Sequence, residues 1–130
     1  MESVIIVAPK FVTLESLIAC VPAGFRVENV DDHRYLVTSG ASRMYVDVDP
    51  YVEGEMEPGE RAWILSRIPD PIYFAIGYSD IQLCKRLLVA LVNRSDVLVD
   101  NGHGVVCTGS ELVNLLEARP GWDWRIESKS

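Results

Sequence analysis

The 130 residues hold only two histidines, His33 and His103, set 70 positions apart, and neither has a second histidine at ligand spacing. Zinc-site, EF-hand, P-loop and dinucleotide fingerprints are absent, and so is a G-x-S-x-G nucleophile motif. A motif-bearing metalloenzyme, nucleotide enzyme or serine hydrolase is thereby excluded, and no cofactor or metal is expected. Cysteine is scarce too: Cys20, Cys84 and Cys107 are odd in number, far apart and set among apolar neighbours. That pattern fits reduced, buried thiols rather than a disulfide framework or zinc knuckle. Long apolar runs are also missing, since "VIIVA" at 4 to 8 and "LLVALV" at 87 to 92 fall far short of the roughly 20 residues that span a bilayer. The start, "MESVIIVAPK", has an acidic second residue and too short an apolar run for a secretory signal, so a cytoplasmic location is expected. Cations are outnumbered, 12 Lys and Arg against 19 Asp and Glu, and the net charge of -7 repels phosphate backbones while attracting basic surfaces. Neither nucleic acid nor a membrane is an expected partner.

What is present describes an ordinary globular chain. A hydrophobic fraction of 48% and a charged fraction of 24% suffice for one domain over 1–130, and no repeat, linker or low-complexity tract divides it. Fraying is expected only after Trp124, over about 125–130. "SVIIVAP" reads as a buried, near-central strand, and "TLESLIACVPAGF" as a short helix capped by Thr13. "FRVENV", "RYLVTS" and "RMYVDVD" alternate with period two and form a three-strand antiparallel meander. "PYVEGEMEPGE" reads as a loop because of its two glycines and two prolines, and "AWILSRIPDP" as a short helix. "IYFAIGY" is a strand. "SDIQLCKRLLVALVNR" is a core helix capped by Ser79 with Gln82 completing a capping box, and Lys85 and Arg86 mark its solvent edge. "DVLVDNGHGVVCTG" is a hairpin turning on Asn101-Gly102, and the last helix opens at Ser110. The expected fold is α+β, a mostly antiparallel sheet with about three helices packed largely on one face.

The stretch around His103 needs no catalytic purpose, because Asn-Gly between two β-rich runs is a turn signal in its own right. The acidic segment says more. Between Met44 and Glu60 stand Asp47, Asp49, Glu53, Glu55, Glu57 and Glu60, with no Lys or Arg after Arg43 until Arg61. Such a run is either a solvated surface or a docking surface for a basic protein, in which carboxylates speed association and reject wrong partners. Tyr45 and Tyr51 lie among these acids and suit interface packing. The expected partner site is Tyr45, Asp47, Asp49, Tyr51, Glu53, Glu55 and Glu57. The rival is a small enzyme or ligand-binding domain built from Asp47, Asp49, His33 and His103, with the "DVD" pair holding a divalent cation in its most specific form. A third reading is a homodimer through an exposed sheet face or the "WDW" tail at 122 to 124.

In size, in its -7 charge, in the acidic run from Asp47 to Glu60 and in the strand–helix–hairpin layout of "YFAIGYSDIQLCKRLLVALVNRSDVLVDNGHGVV", the chain resembles small acidic immunity proteins of bacterial contact-dependent or polymorphic toxin systems. The resemblance implies a non-enzymatic protein that neutralises a cognate toxin domain by covering its active site or a nearby surface, with carboxylates from the 47 to 60 segment facing a basic cleft.

Overall fold

The computed structural model describes residues 1–127. Its first strand, β1 (Glu2–Pro9), is β-branched through its middle and is paired on both sides. Seven strands form one sheet in the order β2-β3-β4-β5-β1-β6-β7, where β2 is Arg26–Asp31, β3 Arg34–Ser39, β4 Ser42–Val48, β5 Pro71–Tyr78, β6 Leu98–Asp100 and β7 Val106–Thr108. All the pairings are antiparallel, so the α+β class, the meander and the near-central first strand stand as expected.

Alternation along β1 separates two apolar layers. Val4, Ile6 and Ala8 face the larger core, which α1 (Leu14–Ile18), α4 (Ile81–Val92) and α5 (Gly109–Ala118) cover together with Trp122 and Trp124. Val7 faces the other way, into a smaller cluster with Val52, Ile64, Ile68, Tyr73 and Leu98. Two further helices, α2 (Val52–Glu55) and α3 (Pro58–Arg67), close that second face, so the helices number five where about three were expected. The segment read as a loop contains α2 and the first turn of α3, whose remainder is the short helix expected in "AWILSRIPDP". Pro58 occupies the first turn of α3, where its missing N–H costs nothing, and the exposed Gly54 and Gly59 bracket it without breaking either helix.

Several local expectations shift. Thr13 caps α1 as expected, in a reciprocal box with Ser16. The cap of α4 is Asp80 rather than Ser79, and its Oδ1 accepts from the N–H groups of Gln82 and Leu83. The cap of α5 is Thr108 rather than Ser110, paired with Glu111. Cys84 and Cys107 are buried free thiols, but Cys20 is exposed in the turn after α1. Lys85 does not edge the solvent: it is 5% exposed, and its Nζ donates to the carbonyls of Pro120 and Trp122 at 2.8 Å each. Burial lowers its pKa, with Asp123 opposing.

The "WDW" tail packs into the larger core. Trp122 and Trp124 are buried edge-to-face with centroids 5.9 Å apart, and Trp124 Nε1 donates to Tyr78 Oη at 2.8 Å. Within the tail expected to fray, Arg125 forks onto Asp123 and Glu127 O accepts from Trp122 Nε1 at 2.9 Å. The rest of the expected frayed tail, 128–130, lies outside the described residues. Among the described residues no helix is long and apolar enough to cross a membrane.

Candidate acidic binding cleft

After β4 the chain leaves the sheet at Asp49. Its N–H is held by Tyr73 O at 2.9 Å, and its Oδ1 accepts from Tyr51 N at 3.0 Å, which turns the backbone toward α2. The chain then folds back as α3 over β1, β5 and β6. Between these helices and the sheet lies a cleft of roughly 330 Å³, walled by Asp49, Glu55, Glu60 and Asp100, with Ser3, Ile5 and Ala75 at its floor. No lysine or arginine lines it. Burial first, and then the adjoining Asp100 carboxylate, raise the pKa of Glu60 above its ordinary value, with Glu57 adding to the same repulsion. The like charges of Glu60, Asp100 and Glu57 thus crowd one side of the cleft.

The acidic run divides in two. Asp47 is gripped by Arg34, Nε to Oδ1 at 2.7 Å and Nη2 to Oδ2 at 3.1 Å, and the same guanidinium lies 4.8 Å from the centre of the Tyr45 ring. Glu53 accepts from Arg61 Nε at 3.0 Å. These three expected partner-site residues are therefore engaged within the chain and do not join the cleft. Asp49 and Glu55 line it, Glu57 is exposed beside it, and Tyr51 stands 74% exposed at the turn leading into α2. Asp100, which completes the cleft, was missed because it sits 40 positions beyond Glu60 and arrives only through the pairing of β6 with β1.

A smaller hollow of roughly 240 Å³ gathers Asp31, His33, Asp47, Asp49 and Tyr51 around Arg34. The histidines do not meet. His33 lies in the β2–β3 turn and His103 follows β6, and four strand spacings put about 19 Å between those strands. His103 Nε2 instead lies 2.8 Å from Glu2 Oε2. The turn carrying it also differs from the expected tight Asn-Gly turn. Asn101 keeps a negative φ, while Gly102 and Gly104 take φ of 75° and 89°. The reason is that the Asn101 side chain is fully buried and accepts from the N–H groups of His103 and Val105, making a five-residue loop that Asn101 closes from within. No cluster of three or more His, Cys, Asp or Glu suited to a metal ion occurs among the described residues.

Compared with known proteins, this chain matches no family model, no curated sequence and no solved structure.

Proposed function

We propose that this protein is a non-enzymatic, cytoplasmic binding module that offers the cleft under α2 and α3 to a basic side chain or loop of a partner protein. Neutralisation of a cognate toxin domain is the most specific form of that reading. One observation carries it: carboxylates from four separate segments converge on one cleft that no cation lines. Asp49, Glu55, Glu60 and Asp100 supply the attraction, Glu57 extends the field, and exposed Tyr51 supplies apolar contact at the rim. Asp47 and Glu53 are already paired with Arg34 and Arg61 and lie outside the cleft, so the proposal assigns them no part in it. Of the rival site, Asp47, Asp49 and His33 share the smaller hollow, while His103 stands apart beside Glu2.

Calorimetry and stopped-flow association with the purified product of the adjacent reading frame test the proposal. Tight binding is expected, together with at least a tenfold loss of affinity and a weaker salt dependence in a Glu55→Lys, Glu57→Lys double variant. Absence of binding tighter than micromolar overturns the toxin-immunity form. Binding unchanged by the double variant removes the cleft from the mechanism.

A further inference from the structure

The outer edge of the sheet is β2, and all six of its residues are exposed. Backbone alternation shows which of its groups lack a partner. Val48 N donates to His33 O at 2.9 Å, so on β3 the odd-numbered residues bond to β4 and the even-numbered ones to β2. Arg26 is registered with Thr38 and Glu28 with Leu36, so their backbone groups point inward. Those of Val27 and Asn29 point outward. Val27 is 42% exposed, and Arg26 and Glu28, on the opposite face from Val27, have no ion-pair partner among the described residues. At the far end the β2–β3 register shifts between Asn29 and Asp31, leaving Val30 as a bulge.

We infer that β2 pairs antiparallel with β2 of a second copy of this chain, about a two-fold axis through Val27. Two-fold pairing requires that residues facing each other both point outward or both inward, which leaves axes through Val27, Glu28 or Asn29. An axis through Glu28 sets that carboxylate against its own copy. An axis through Asn29 draws the Val30 bulge into the ladder and sets Val27 against the second copy's Asp31. The axis through Val27 has neither fault. It places Arg26 opposite the second copy's Glu28 and Glu28 opposite the second copy's Arg26, and it stacks Val27 on its counterpart. About four backbone bonds follow, two between the Val27 residues and one from each Asn29 N–H to the facing Phe25 carbonyl. Phe25 N–H is already donated to Pro22 O at 3.4 Å, and the bulge lies outside the ladder. The opposite edge, β7, has three residues, too short a template for the same pairing.

One short ladder buries less than the roughly 1,200–2,000 Å² of a standard stable interface, so the dimer is concentration-dependent. The surface is separate from the acidic cleft, with β3 and β4 between them, and stands or falls independently of partner binding there. Sedimentation velocity from low micromolar to about 1 mM protein tests it. The wild type is expected to shift from monomer to dimer. Val27→Pro, which removes an outward N–H and no internal bond, is expected to stay monomeric. Glu28→Arg, setting two cations against each other, is expected to weaken association at least tenfold, and adding Arg26→Glu is expected to restore it. A wild type that is monomeric throughout, a dimer that survives Val27→Pro, or a Glu28→Arg defect that the double variant does not rescue overturns the inference.

Discussion

Replacing Lys85 by Met separates a buried structural ammonium from an ordinary helix-surface lysine. The Nζ is the tie between the middle of α4 and the segment that brings Trp122 and Trp124 onto the core, through 2.8 Å bonds to Pro120 O and Trp122 O. Methionine keeps the length and apolar stem but supplies no donor. Two charge-assisted bonds at about 1.5–3 kcal/mol each set the gross loss, and relief of the ammonium's desolvation, visible in its lowered pKa, offsets part of it. The net expectation is about 3 kcal/mol. For a chain of this length the unfolding entropy is about 0.27 kcal/mol/K, so Tm falls by about 11 °C. Urea denaturation and calorimetry measure both quantities. Arg86→Met is the control, because Arg86 is exposed and only rests 5.1 Å from the Phe25 ring centre, a contact worth about 0.5–1 kcal/mol. A Lys85→Met variant within about 0.5 kcal/mol of wild type, or no worse than Arg86→Met, refutes the reasoning.

Alkaline pH is expected to unfold the protein progressively. Burial pushes the Cys84 thiol from 9.0 to about 12 and the Tyr78 phenol from 10.0 to about 12. Both groups keep their protons in the folded chain where the unfolded chain has lost them, so their stability is full below about pH 9 and is lost as pH rises toward 12. Lys85, lowered when folded, runs the opposite way and offsets part of that loss. Urea midpoints that stay flat from about pH 9 to 11 contradict this account. Gly109→Ala is expected to abolish stable folding, since a Cβ there would run into the Val92 carbonyl oxygen and crowd Val97 and the Arg94 carbonyl, at the joint where α5 leaves the sheet. A soluble variant with a cooperative transition within about 1 kcal/mol of wild type would overturn that assignment.

Elements dictated by local pattern were legible in the sequence. β1 and β5 announced themselves by β-branched and aromatic composition, and the meander by alternation bounded with turn residues. Thr13 was readable as a cap, and Thr108 was too, because Glu111 completes its box three residues on, although Ser110 drew attention away. What escaped depends on distant chain. Nothing near Lys85 signals that two carbonyls from beyond α5 descend onto it. The acidic run looked uniform because its neighbours in sequence contain no cation, yet Arg34 and Arg61 fold back onto two of its members and Asp100 joins from β6. The short helix of "AWILSRIPDP" was legible, but α2 and the first turn of α3 were hidden because glycine and proline, which usually break helices, fall here at a first turn and at exposed positions.

The three tryptophans divide the molecule optically. Trp122 and Trp124 are sealed in the large core, so their emission is expected to be blue-shifted and to report whether the chain is folded. Trp63 lies on α3, one turn from Glu60, partly open to water and with the Arg67 guanidinium 3.9 Å from its ring centre. Its emission is expected at the red edge and open to iodide or acrylamide, and it would report on the helix that walls the acidic cleft. Selective excitation at long wavelength therefore follows that wall without a label, while the core pair serves as an internal reference in the same cuvette.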